Sequence, residues 1–160
     1  MNVEAVFRPL SDLEKSIGDL YARWAAVFDA DREAAFLFVK MANEEKGHAS
    51  LVDCQRRIVQ RSPGLAASVD VDLGLVEEAL REAWALRGSA TPPRLEDDVR
   101  MTYRVEMSAA ESHDRNALRS AHPELERLLA CLGGEDREPL ERLKALASGR
   151  GIELAMPVAS

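Results

Sequence analysis

Five ionisable side chains stand at positions where a helix would normally bury an apolar residue. Apolar residues recur at steps of three and four along four segments of the chain, which is the spacing that forms one face of an α-helix. The side chains that interrupt this spacing are Glu14, Glu45, His48, Glu106 and Asp136. Each of the four segments therefore places an acidic group on a face that should be buried.

Buried carboxylates of this kind need a positive partner. A single buried carboxylate without one is very costly, and several that converge on one core repel each other unless a cation lies among them. A divalent metal is the simplest compensation, and carboxylate oxygen with imidazole nitrogen suits iron or manganese. Glu45 and His48 are three residues apart, so both point to one side of a helix and can chelate one ion. The pattern predicts one or two metal ions per chain.

The elements that must position these side chains are helices. The periodicity predicts four long helices: from about Pro9 to Phe28, from an N-cap at Asp31 to about Gln60, from just after Pro93, and from Pro123 onward. A longer connection, about residues 61–93, contains a further short helix from Leu73 to Leu86. Short, long and short connections are typical of a bundle with one crossover. The predicted fold is all-α, a ferritin-like antiparallel four-helix bundle in one domain over residues 1–160, with its core at about 9–148.

The acids also repeat along the chain. Glu14 and Glu45 lie about thirty residues apart, and Glu106 and Asp136 lie about thirty residues apart. The chain therefore resembles two copies of one helical hairpin, each with an acid on both of its helices. This is the layout expected of a two-metal carboxylate site.

Composition excludes several other classes of protein. A formal net charge of −7 offers no basic stripe for nucleic acid, and no apolar run is long enough to span a membrane. We therefore expect a cytoplasmic protein whose partners are metal ions, not nucleic acid or a membrane. Cys54 and Cys131 form no CxxC pair, which excludes a rubredoxin-type iron centre, and small buried residues are the better interpretation of them than a disulfide.

The chain resembles the rubrerythrin branch of the ferritin-like superfamily over about residues 9–148. The matching residues are Glu14 with Tyr21, the run Glu45-Lys46-Gly47-His48, and Glu106. The resemblance implies a di-iron centre with Glu14 and His48 on one iron, Glu106 on the other, and Glu45 as the bridge. It also implies that Tyr21 donates a hydrogen bond to a ligand carboxylate, that the chain forms a homodimer, and that an external electron donor serves any redox activity.

The fourth predicted helix departs from the family pattern. The final ExxH of the family aligns with Asp136-Arg137-Glu138-Pro139, in which aspartate is a shorter acid and proline supplies no ligand. His113 stands where the family has a tyrosine, about 10 Å along the helix from Glu106, so it is expected beside the metal site and not as a ligand. Pro139 also predicts a kink or break between about Leu132 and Pro139.

Other interpretations remain open for the individual residues. Ser11 and Glu14 have the spacing of a capping box, and an ExxH pair on a helix is often solvent-exposed. The leading hypothesis is a metal-binding protein with a degenerate second half-site, which could act as an iron-dependent oxidoreductase on peroxide, oxygen or ferrous iron. Its catalytic residues are not identified by the sequence. The alternative is a metal-free helical-bundle interaction or structural protein that kept the fold and lost the chemistry.

Overall fold

The computed structural model describes residues 3–62, 73–89, 91–107 and 138–154, which form helices and no strand. In chain order the helices in these ranges are α1 (Val3–Val27), α2 (Arg32–Arg61), α3 (Leu73–Gly88), α4 (Leu95–Glu106) and α5 (Glu138–Gly149). The predicted all-α class is confirmed for this part of the chain. None of these helices is both long and apolar enough to cross a bilayer.

Three helices lie close to their predicted bounds. The N-cap of α2 is Asp31, as predicted, and its side chain accepts a hydrogen bond of 3.3 Å from the backbone N–H of Ala34. The short helix predicted in the long connection is α3, and α4 begins just after Pro93. The predicted helix start at Pro123, Cys131 and the proposed kink before Pro139 fall outside the described residues.

The first helix begins at Val3, and the predicted start at Pro9 was wrong. A proline inside a helix lacks the N–H that would bond the carbonyl four residues earlier, at a cost of roughly 3 kcal/mol. However, Val6, Phe7 and Leu10 continue the buried face of α1 through this position. Full burial of one such side chain contributes about 1.5–3 kcal/mol. Packing of the first turns therefore outweighs the local preference of proline.

α1 and α2 form an antiparallel hairpin, as predicted. Near the connection between them, the ring of Phe38 on α2 lies 5.4 Å from that of Trp24 and 6.3 Å from that of Tyr21 on α1. Farther from the connection, His48 on α2 lies beside Glu14 on α1. The contacts move toward the start of α1 as they move toward the end of α2, which is the antiparallel order.

α3 packs on α1 in the parallel direction. Residues 77–84 of α3 line a groove shared with residues 5–12 of α1. Farther along, the indole N–H of Trp84 donates to the hydroxyl of Ser16 at 3.1 Å, and Arg87 forms an ion pair with Asp19 at 3.1 Å. Because the α1 partners advance as α3 advances, α3 returns the chain along the length of the hairpin.

α4 and α5 complete the described helices. Asp98, early in α4, lies near Arg23 of α1, and Glu106 at the end of α4 accepts a hydrogen bond from Tyr21, so α4 runs antiparallel to α1 and therefore to α3. Arg142 on α5 pairs with Glu44 on α2 at 3.2 Å, and Arg150, just beyond α5, pairs with Asp31 at 2.6 Å, so α5 is antiparallel to α2. With α1 defined as up, α2 and α4 run down, whereas α3 and α5 run up.

The buried core lies where these helices meet. Its largest fully buried apolar side chains come from α1, α2 and α5: Phe7, Leu10, Leu13, Leu20, Tyr21, Phe38, Met41, Val59 and Leu143. Val76 of α3 and Val99 of α4 are also completely buried. Three glutamates, Glu14, Glu45 and Glu106, are buried with these apolar groups.

Candidate metal centre

α1 carries Glu14 on its buried face. Glu14 is only 3% exposed, and Ser11, one turn earlier, is 4% exposed. Because α1 begins at Val3, Ser11 lies inside the helix and cannot be its N-cap. The capping-box interpretation of Ser11 and Glu14 is therefore wrong, and Glu14 is a buried acid facing α2.

α2 supplies Glu45 and His48 from the same side of the helix. Glu45 is 2% exposed and the side chain of His48 is 16% exposed, so the pair faces the interior and is not a solvated surface motif. The Nδ1 atom of His48 lies 3.2 Å from Oε2 of Glu45. The spacing of three residues accounts for this contact, because residues three apart are neighbours on a helix.

The antiparallel hairpin brings the three side chains together. Nδ1 of His48 is 3.6 Å from Oε2 of Glu14, and one ligand atom from each of Glu14, Glu45 and His48 lies within 4.8 Å of the other two. Donor atoms that share one ion at about 2.0–2.2 Å lie roughly 3–4 Å apart. Small side-chain rotations would close the cluster to that size, so these residues could hold a metal ion.

Glu106 and Tyr21 form a second polar contact in the core. The hydroxyl of Tyr21, which is completely buried, donates a hydrogen bond of 3.0 Å to Oε1 of Glu106, which is 9% exposed. Glu106 is buried as predicted, but it is not a member of the cluster formed by Glu14, Glu45 and His48. The structure therefore gives Tyr21 its expected type of partner, a buried carboxylate. A ligand role for Glu106 stays a prediction.

α5 presents an arginine to α2 beside the candidate site. Arg142 pairs with Glu44, the residue before Glu45, and both side chains are about a quarter exposed. The apolar stripe of α5 gave no signal for this contact, because the partner of a charged side chain depends on how the helices pack. Asp136 and His113 lie outside the described residues, and their proposed roles stay predictions.

Gly18 is a further residue of the candidate site, and the sequence pattern gave only a weak indication of it. It lies on the same face of α1 as Glu14 and Tyr21, four residues after the first and three before the second. The structure places Gly18 directly against Glu45. The sequence signal for this role was a glycine in the middle of a buried helical stripe, because glycine destabilises the interior of a helix and is expected there only where close packing requires it.

Comparison with known proteins adds no relative. A scan against protein-family models finds no match, and searches of the curated proteins and of the solved structures find none either. What the cluster can do is therefore inferred from its own geometry and donor chemistry.

Proposed function

We propose that this chain is a ferritin-like helical-bundle protein that binds iron or manganese through Glu14, Glu45 and His48. The observation that carries the proposal is the convergence of these three donor atoms within 4.8 Å in the buried interior. The two carboxylates come from different helices, so the cluster depends on the tertiary fold and does not result from local spacing alone.

The donor set fits a divalent cation. Burial of two carboxylates side by side is strongly unfavourable without compensating positive charge. A divalent ion would balance both charges, and two oxygen donors with one imidazole nitrogen suit iron or manganese. Three protein donors also leave coordination positions for a small exogenous ligand, as catalytic metal sites do.

The helix directions support the ferritin-like part of the proposal. α1 and α2 form an antiparallel hairpin, α3 returns the chain along it, and α4 and α5 run parallel to α2 and α1, respectively. This is the order of a four-helix bundle with one long crossover. In this arrangement Glu106 on α4, held by Tyr21, would serve a second metal position together with Asp136. We expect this position to bind more weakly, because its half-site lacks a histidine.

The proposed activity is that of the rubrerythrin branch. A bound iron ion would supply redox chemistry toward peroxide, oxygen or ferrous iron at an open coordination position. The chain's own groups would hold and orient the ion, with Glu45 as the chelating or bridging carboxylate. An external electron donor would serve any such redox activity. A homodimer is part of the same proposal.

Metal analysis of protein purified without chelators tests the proposal. Wild-type protein is expected to contain one tightly bound ion per chain, and His48→Ala should lose most of it because a ligand is removed. Lys46→Ala, an exposed neighbour on the same helix, is the matched control and should keep the wild-type metal content. Wild-type protein that stays metal-free after anaerobic incubation with Fe²⁺ or Mn²⁺ would reject the proposal.

One observation favours the second candidate, a metal-free bundle that serves as an interaction or structural protein. Nδ1 of His48 lies within 3.6 Å of both carboxylates, so an imidazolium there would balance part of their charge without a metal. The two candidates differ in their response to metal. Mn²⁺ should raise the unfolding temperature of the metal-binding protein and leave that of a metal-free bundle unchanged.

A further inference from the structure

Gly18 lies at the closest approach of α1 to the proposed metal ligands. A Cβ atom placed on Gly18 would lie 3.1 Å from Cβ of Glu45 and 3.9 Å from its Cγ. The same atom would lie 3.6 Å from the backbone carbonyl oxygen of Ala42. The first distance is shorter than carbon atoms normally approach each other, so any side chain at position 18 would push Glu45 away.

Backbone conformation does not explain the glycine. Gly18 is in the middle of α1, and among the described residues only Gly151 has a positive φ angle that favours glycine. Glycine is the poorest helix former after proline, so its presence in a long helix disfavours the helix unless it serves packing. The space that it leaves is filled by the side chain of Glu45, which is 2% exposed.

We propose that Gly18 is a positioning residue of the metal site, which sets the separation of α1 and α2 at Glu45. This inference rests on the proposed function. By allowing α2 to pack closely, the missing side chain lets the Glu45 carboxylate share one cluster with Glu14 of α1. A methyl group at position 18 shifts Glu45 by a few tenths of an ångström. Such a shift takes up much of the roughly 0.5 Å within which ligands must be held in their working geometry, so it weakens metal binding without abolishing it.

Gly47 provides a matched control. It lies on α2 between Glu45 and His48, is exposed, and would meet nothing within 4 Å if it carried a Cβ atom. Gly47→Ala makes the same chemical change on the helix that carries both ligands, improves its helix propensity and leaves Glu45 without a new contact. A difference between Gly18→Ala and Gly47→Ala therefore reports the contact with Glu45 and not the general effect of replacing glycine.

The test measures Co²⁺ and Mn²⁺ affinity of the chelator-treated full chain by calorimetric titration, together with thermal unfolding of the metal-free form. We expect Gly18→Ala to bind both ions about tenfold more weakly than wild type, the scale on which supporting residues act. The affinity of Gly47→Ala for both ions should stay within about twofold of the wild-type value. The visible spectrum of bound Co²⁺ should change in Gly18→Ala only, which a purely structural role of Gly18 would not produce.

Each outcome separates this inference from the proposed function. If wild-type protein binds neither ion, the proposed function fails, and the role of Gly18 fails with it. If wild type binds but Gly18→Ala binds equally tightly with the same Co²⁺ spectrum, only the role of Gly18 is overturned. Should metal-free Gly18→Ala not fold, its metal-induced refolding is compared with that of Val59→Ala, a buried α2 substitution about three turns beyond His48. A metal concentration for refolding no higher than that of Val59→Ala would overturn the inference, and a tenfold higher one would support it.

Discussion

Replacing Glu45 with glutamine should remove most of the metal-dependent stabilisation and leave the metal-free protein folded. Glutamine keeps the size of the side chain and can still hydrogen-bond to His48, whose Nδ1 lies 3.2 Å from Oε2 of Glu45. It removes the negative charge through which Glu45 would bind a metal ion. The substitution therefore separates the stability of the bundle from its capacity to bind an ion.

The charges around Glu45 indicate that the metal-free variant will fold. The Glu14 and Glu45 carboxylates lie within 4.8 Å of each other, so at an effective dielectric constant of about 20 their repulsion amounts to at least about 3.5 kcal/mol. Attraction to an imidazolium at His48 across 3.2 Å amounts to about 5 kcal/mol. Because the two nearly cancel, removing the charge changes the free energy of unfolding by about 2 kcal/mol at most. Typical domains are stable by about 5–15 kcal/mol.

The metal response is where the large effect is expected. Metal at about 100 times the wild-type dissociation constant stabilises the folded state by about 2.7 kcal/mol. If loss of the ligand weakens binding about 100-fold, the same concentration contributes only about 0.4 kcal/mol. For a chain of 160 residues, 1 kcal/mol corresponds to about 2–4 °C in Tm. Wild type should therefore rise by about 5–11 °C and Glu45→Gln by about 1–2 °C.

The assay is thermal unfolding followed by circular dichroism, first with chelator and then with excess Mn²⁺. Glu44→Gln is the control, because Glu44 is the adjacent residue on α2 and pairs with Arg142 instead of the cluster. It should lose no more than about 1 kcal/mol of stability and keep the full metal response. A full Tm rise in Glu45→Gln would refute the assignment of Glu45 as a ligand. No rise in wild type would refute the metal site.

Three other substitutions test separate parts of the structure. Burial, with the neighbouring Asp97 charge, raises the pKa of Asp98 to about 6. The stability contributed by the protonated Asp98 carboxyl is therefore complete below about pH 4 and is lost as pH rises through 6. Asp98→Asn should therefore raise the free energy of unfolding in urea by about 1 kcal/mol above pH 6, a value reduced for the partial exposure of Asp98, and leave it unchanged below pH 4. An equal gain in stability at both pH values would contradict this assignment of the Asp98 pKa. Pro9→Ala should raise the free energy of unfolding by about 1–3 kcal/mol, because α1 runs through this position. A loss of stability would mean that the proline belongs to a helix boundary. Tyr21→Phe should lower the free energy of unfolding by about 1–2 kcal/mol because the Glu106 carboxylate loses a buried donor, whereas an unchanged urea midpoint would show that the hydrogen bond contributes nothing.

Features that depend on neighbours along the chain could be predicted from the sequence. The three- and four-residue spacing predicted α2, α3 and α4, and the side chain of Asp31 caps α2 as expected. The shared direction of Glu45 and His48 also follows from a spacing of three residues. The connection between α1 and α2 is so short that an antiparallel hairpin was the expected arrangement.

Features that depend on packing between helices could not be predicted. The start of α1 before Pro9 follows from burial of Phe7 and Leu10, which outweighs a local preference. The choice between a capping residue and a buried acid for Glu14 depends on that start.

The partners of Tyr21, Glu44 and Gly18 lie 27 to 98 residues away in the sequence. The sequence by itself determined which residues lie on one face of each helix, because helical geometry is local. Only the tertiary structure decided which acids share a cluster, because the separation and register of two helices depend on side chains from both.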